Sequence, residues 1–259
     1  MDACKNFSSL KEEAKEFTEC KQMVVFERPL HISVNKDVFS ITMQTPGQER
    51  ELCRGLLFSE GIDHAFTEFK LLEHPNGTAA HITLADASQL NAERRLSSTS
   101  SCGLCGKTNI NNLFMGIEPI QSDLKISQTH IEQVFDKVAE KQELFKNTGG
   151  CHAASVSTAA GELLCVFEDI GRHNAVDKAI GYLLEEEKLD EATLLTVSGR
   201  VSFEIVQKCA RAKIPFLAAI SAPSSLAIEL SENWGITLAG FCRKNKATFY
   251  SRADRILRE

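Results

Sequence analysis

The sequence predicts an α/β protein: a larger unit over residues 128–259 built on a largely parallel sheet, preceded by a smaller α+β unit over residues 21–95. Three observations predict it. From residue 128 onward, short β-branched and leucine-rich runs alternate with helical patterns, and repeated strand-helix-strand units force parallel strands with right-handed crossovers. The first third instead holds two hairpin signatures around one amphipathic helix. At 259 residues, 43% apolar and 25% charged, the chain has the balance of a globular protein with ample length for a core.

Residues 1–20 carry many charges and little apolar periodicity, and are expected to be a weakly docked helical extension. The segment MVVFERPLHISVNKDVFSITMQ alternates and turns at Asn35-Lys36-Asp37, a hairpin pattern. GQERELCRGLLFSEG follows as a helix with Leu52, Leu56 and Leu57 on one face, stopped by Gly61. A second hairpin, KLLEHPNGTAAHITLA, turns at Pro75-Asn76-Gly77. Residues 96–127 form a loop and linker in which serine, glycine and asparagine dominate and neither helical nor strand period is found. Such long loops tend to be functional, and this one carries the only C-x-x-C of the chain. Beyond it come a helix with Ile131, Val134, Phe135 and Val138 on one face, closed by Gly149-Gly150, and the hairpin CHAASVST/ELLCVFED. The alternation then runs helix NAVDKAIGYLLEEE, strand TLLTVS, helix SFEIVQKCARAK, strand PFLAAIS, helix SSLAIELSEN and strand ITLAGF.

In open α/β sheets ligands bind outside the carboxyl ends of the strands. Here EDIGRHN, GR, SAPSS and CRKNK follow the four strands, so a shared direction would gather Arg172, Arg200, Arg243, Lys244 and Lys246 along one edge. Helix N-termini capped near Asn174, Ser202 and Ser224 would join them, and guanidinium forks with helix N-terminal amides are common phosphate receptors. These segments and the end of TLLTVS add His173, Ser198 and Ser221 as candidate ligand contacts. A capping-box-like start with Asp177 three residues after Asn174 gives part of this polarity an ordinary helical explanation.

Cys102-Gly103-Leu104-Cys105 allows three chemistries. A structural zinc site needs two further ligands; no second C-x-x-C or His pair lies nearby, although Cys151 and His152 could be borrowed through space. A thioredoxin-like dithiol normally opens a helix at a strand end, whereas this pair follows a serine-rich loop. The third is sulfur carriage: an accessible thiolate attacks the outer sulfur of a donor persulfide and passes it on, a neighbouring thiol assisting release. SCGLCGKT only imitates a P-loop, because Ser101 stands where the first glycine belongs and no buried strand precedes it.

Nine cysteines, odd in number and scattered, fit a reducing cytoplasm rather than a disulfide framework. No stretch approaches the about 20 apolar residues of a membrane span, and the charged first residues lack the apolar segment of a secretory signal. A net charge of −6 removes the general attraction to nucleic acid, so an anionic ligand must be met by a local basic cluster.

SSCGLCGK, TGGCHAASV, EDIGRHNAVDKAIG, SGRVSFEIVQK, SAPSSLAIEL and ITLAGFCR together resemble the FdhD/NarQ family, the formate dehydrogenase accessory sulfurtransferases, over about residues 25 to 251. The resemblance implies a protein that takes sulfur from a cysteine desulfurase and delivers it to the molybdenum cofactor of a formate dehydrogenase, Mo-bis(molybdopterin guanine dinucleotide). It implies Cys102 as the persulfide carrier with Cys105 as helper, and cofactor binding at Phe241, Cys242, Arg243, Lys244, Asn245 and Lys246. It also implies a homodimer and a cytidine-deaminase-like three-layer domain. Deamination is not implied, since the chain has neither H-x-E at His152 nor P-C-x-x-C. One departure stands out. The family's Arg-Gly-x-Arg is here Arg243-Lys244-Asn245-Lys246, without the glycine that eases close backbone approach to a phosphate. A non-catalytic cofactor chaperone and a thiol-disulfide oxidoreductase are the competing readings.

Overall fold

The computed structural model describes residues 3–85 and 117–258. The chain begins with a two-stranded antiparallel ribbon, β1 (Cys4–Glu13) and β2 (Glu16–Val25), which replaces the helical extension expected from the sequence. Its sequence lacks apolar periodicity because the ribbon is almost wholly exposed, with Phe7, Leu10 and Phe17 in solvent. Cross-strand hydrogen bonding, to which a hydropathy pattern is blind, defines it.

The small unit is a four-stranded sheet in the order β4-β3-β6-β5, covered by α1 (Glu49–Ser59). β3 (Arg28–Val34) and β4 (Asp37–Gln44) are joined where Asn35 and Lys36 both take positive φ, the two-residue turn that matches strand twist. β5 (Phe66–His74) and β6 (Gly77–Leu84) form the second hairpin, and β6 lies parallel to β3. Leu30, Ile32 and Val34 alternate inward and meet Ala80, Ile82 and Leu84 beneath Leu52, Cys53 and Leu57 of α1.

The larger unit has three layers. Its sheet runs β13-β12-β11-β10-β8-β9, built from β8 (His152–Ser157), β9 (Leu163–Asp169), β10 (Leu194–Val197), β11 (Phe216–Ala219), β12 (Thr237–Arg243) and β13 (Lys246–Ser251). β10, β11 and β12 pair in parallel; β8 and β13 run against them. Because β9 is antiparallel to β8, it shares the direction of β10 to β12. The sheet is therefore mixed, with four strands pointing one way and two the other, rather than largely parallel in its pairing. β13 was not expected as a strand, since it forms only by folding back across a tight turn.

Alternation along each strand serves both faces. Leu194, Phe216, Ala218 and Ala239 face α2 (Gln128–Lys141) through Ile131, Val134 and Val138, whereas Leu195, Val197, Leu217 and Leu238 face the opposite helices. Those are α4 (Arg172–Glu185), α5 (Phe203–Arg211) and α6 (Ser225–Asn233). The expected single helix after residue 128 breaks at Gln142, and α3 (Glu143–Thr148) follows as a separate turn ended by left-handed Gly149. A two-residue parallel pair, β7 (Ile126–Ser127) with β14 (Ile256–Leu257), ties the chain end beside α2.

The two units meet where α1 crosses α4. A Cβ on Gly181 would stand 1.8 Å from the Glu51 carbonyl oxygen, and one on Gly55 would stand 1.9 Å from that of Asp177, so only glycine permits this approach. Among the described residues no helix is long and apolar enough to cross a membrane.

Candidate functional site

With β9 to β12 co-directional, their carboxyl ends lie on one edge, as the order of elements predicted. Three helices start from it. α6 is capped by Ser224, whose hydroxyl accepts from the Ala227 N–H at 3.2 Å. α4 and α5 differ from expectation. α4 begins at Arg172 with Gly171 as its N-cap, and α5 begins after Ser202, neither with a side-chain cap. Asn174 lies inside α4, and the Ser202 hydroxyl donates instead to Glu204 at 2.7 Å. Neither N-cap residue thus closes its helix start with its own side chain.

Much of GRHNAVDK is occupied in joining the two units. The Lys178 ammonium lies 2.8 Å from Asp169 Oδ2 and donates to the Thr45 carbonyl at 2.9 Å. Thr45 N–H donates to the same carboxylate oxygen at 3.1 Å, while Asp169 Oδ1 accepts from Gly171 N–H and the Asn174 amide at 2.7 and 3.0 Å. Asn174 also donates to the Met43 carbonyl at 2.7 Å. Farther along α4, Asp177 accepts from Lys208 at 2.6 Å and from Ser59 at 3.0 Å. Burial pushes the Asp177 carboxyl up, and Lys208 and Ser59 oppose that push. A fully buried charge needs such partners.

A cavity of about 210 Å³ opens between α2 and the sheet edge. Its apolar wall includes Ile131, Phe135 and Ile220, and its rim includes Ser198 and the run Cys242 to Lys246. Of the candidate contacts, then, Ser198, Cys242, Arg243, Lys244, Asn245 and Lys246 gather around one space. Arg243 and Lys246 close the β12/β13 ladder, with Lys244 and Asn245 as a left-handed turn at φ 52° and 57°. Phe241 lies outside the lining, at a bulge with φ 54°, where its N–H donates to the Ser221 carbonyl at 3.2 Å. Burial pushes the Cys242 thiol up to about 11, so it stays protonated at neutral pH.

Arg172, His173, Arg200 and Ser221 are not part of that cavity's lining. Arg172 opens α4, and its buried Nε has no hydrogen-bond partner among the described residues. His173 is committed to α5: its Nε2 lies 3.2 Å from both Ser202 Oγ and Glu204 Oε2. Arg200 is exposed in the loop between β10 and α5. His152 and Ser198 connect the two regions: His152 Nδ1 is 3.3 Å from Ser198 Oγ, and both His152 and Arg172 lie against the open face of Gly199. Burial, reinforced by Arg172 and His173, pulls the His152 imidazole below its ordinary range, which keeps it neutral near pH 7.

Cys151 donates to Glu168 at 3.3 Å, and Glu168 in turn accepts from the Leu144 and Phe145 N–H groups that begin α3. Burial and the Glu168 charge push the Cys151 thiol up to about 12, making it an inert tether. Cys102 and Cys105 lie outside the described residues.

Sequence reasoning missed the α2 side of the cavity. Gln128, Glu132 and Asp136 recur every fourth residue and line it beside the apolar stripe. That spacing places them on one helix face and was the available signal.

The fold and this edge define a class: a three-layer α/β protein whose co-directional strand ends carry three helix starts and a basic hairpin turn. Comparison with known proteins makes it specific. The FdhD/NarQ family model matches residues 25–257, and the chain belongs to that family. It is 40% identical over 250 residues to the "Sulfur carrier protein FdhD" of Mycolicibacterium paratuberculosis, covering 91% of this chain and 92% of the relative. The protein of the same name from Sulfolobus acidocaldarius is 39% identical over 237 residues, again with 91% and 92% covered. A solved structure, described as a formate dehydrogenase accessory protein from Desulfotalea psychrophila, superposes with a TM-score of 0.78 at 24% identity. The match covers 99% of this chain and all of that one, and shows a shared fold.

Proposed function

We propose that this protein is a sulfurtransferase that accepts persulfide sulfur from a cysteine desulfurase on Cys102 and transfers it to the Mo-bis(molybdopterin guanine dinucleotide) of a formate dehydrogenase. Family membership and the sulfur-carrier names of the relatives support the carriage of sulfur. The observation that carries the ligand half of the reading is the co-directional strand edge, where Arg172, Arg200 and the basic turn Arg243 to Lys246 follow successive strands.

The cofactor is substrate here, and the donor set suits its phosphates. At about 210 Å³ the cavity is smaller than the roughly 300–1,000 Å³ of pockets that enclose drug-sized ligands. It suits one base or sugar-phosphate unit, leaving the remainder along the open edge toward Arg172 and Arg200. Phosphate oxygens would take the guanidinium forks, and the starts of α4 and α5 would favour their charge through the helix dipole.

The sulfur steps balance as thiol exchange. The Cys102 thiolate attacks the outer sulfur of the donor persulfide; the new S–S bond forms as the donor's breaks, and the donor cysteine leaves as thiolate. Release follows when Cys105 attacks Cys102 Sγ, expelling hydrosulfide toward the metal and leaving a disulfide that a dithiol reductant resets. A cytidine-deaminase-like fold for the larger unit, a homodimer and a cytoplasmic setting complete the proposal. The ribbon supports self-association, because Phe7, Leu10 and Phe17 stand in solvent.

The test is activation of apo formate dehydrogenase by Cys102→Ala and by Arg243→Ala. The first should abolish activation while guanosine diphosphate binding persists; the second should weaken binding, most at low salt. Full activation by Cys102→Ala would falsify the carrier role and favour a chaperone. A protein that ignores the nucleotide but reduces disulfides would favour an oxidoreductase.

A further inference from the structure

The β12 to β13 turn is held from outside its own hairpin, and we infer that Glu132 of α2 is a positioning residue that keeps the basic turn at the rim of the cavity. The inference rests on the reading of that rim as an anion receptor.

The turn has reason to wander. Lys244 and Asn245 both occupy the left-handed region, which asparagine tolerates and lysine disfavours. Arg243, Lys244 and Lys246 also place three like charges within four residues, and the ladder is already irregular between Gly240 and Arg243. Two-residue hairpin geometry suits this shape, as at Asn35 and Lys36, while the left-handed lysine and the like charges work against it.

Glu132 supplies what is missing. Its Oε1 accepts from the Asn245 backbone N–H at 2.9 Å. With the Asn245 carboxamide turned so that its nitrogen faces α2, that group donates to both Glu132 oxygens. One carboxylate therefore grips main chain and side chain of the same turn residue, and sets a negative charge beside three positive ones. The platform is firm. α2 is capped by Ser127, whose hydroxyl accepts from the His130 N–H at 3.1 Å, and it is seated on the sheet by Ile131, Val134 and Val138. Glu132 is only half-buried, so its removal releases the turn without emptying the core.

Two measurements on the full chain test this: hydrogen exchange at the Asn245 amide, and affinity for guanosine diphosphate. Glu132→Ala should raise exchange and weaken affinity by at least about tenfold, since it removes the main-chain and the carboxamide hydrogen bonds together. Glu132→Gln keeps an oxygen for the amide and discards the charge, so it should retain protection and bind at least as tightly as the parent. In a Lys244→Gly background, where the turn is at ease without help, the Glu132→Ala loss should shrink below about twofold. Unchanged exchange in Glu132→Ala overturns the clamp, and so does a Glu132→Gln variant as impaired as alanine. Raised exchange with unaltered affinity overturns the positioning role. A parent protein that binds no nucleotide removes the anion-receptor reading, and the positioning role with it, while the exchange measurement still decides the clamp.

Discussion

Replacing Lys178 by methionine should destabilise the fold by about 3 kcal/mol, a large fraction of the roughly 5–15 kcal/mol that a globular protein has in total. Methionine matches the lysine stem in length and apolar character, so packing is largely kept and the ammonium alone is lost. Asp169, with 0% of its side chain exposed, would keep its charge in the interior without a counter-charge, and the Thr45 carbonyl would lose its donor. Breaking a buried pair from one side costs about 3–5 kcal/mol. The lower end applies here, because three hydrogen bonds, from Thr45 N–H, Gly171 N–H and Asn174, still reach the carboxylate. Urea unfolding at neutral pH reads the change directly. Adding Asp169→Asn should recover at least about half of it, since a neutral amide needs no cation. A single-variant loss below about 1 kcal/mol, or a double variant no better than the single, would refute the view that this pair welds the two units.

Gly181→Ala should destabilise by about 1–3 kcal/mol or more, because its Cβ would overlap the Glu51 carbonyl; an unaltered melting temperature would show that α1 and α4 are not in such contact. Stability should also fall as pH drops below about 6.5, the ordinary histidine value, because burial depresses His152 and His130 and the unfolded chain binds those protons more readily. The loss continues until pH passes the lowered folded values, and His152→Asn should flatten the profile in this window; an identical acid limb in that variant counts against the neutral buried imidazole.

The sequence was most informative where one periodicity dominates. Leu30, Ile32 and Val34 alternate beneath α1, and each run after residue 150 serves both faces of the sheet, so element order and the shared strand edge followed from pattern alone. The ribbon of β1 and β2 was illegible, since cross-strand pairing between exposed polar residues leaves no hydropathy trace. The site was legible by half. Basic residues after strands could be counted, but which of them share a cavity depends on side-chain direction, and that separated Arg243 to Lys246 from Arg172 and Arg200. Asn174, Asp177 and Lys178 sit in the motif richest in polar residues, yet they bind Met43, Ser59 and Thr45, partners more than a hundred positions away. No local window contains such a pairing. Glu132 escaped notice for the related reason that its partner lies at the far end of the chain.

Intact-protein mass spectrometry after incubation with a cysteine desulfurase and cysteine puts the sulfur-carrier reading to its most direct trial. The parent protein should gain one or more sulfur atoms, peptide mapping should locate them on Cys102, and a thiol reductant should strip them. Sulfur that accumulates on any other cysteine, or equally on Cys102→Ala, would contradict it.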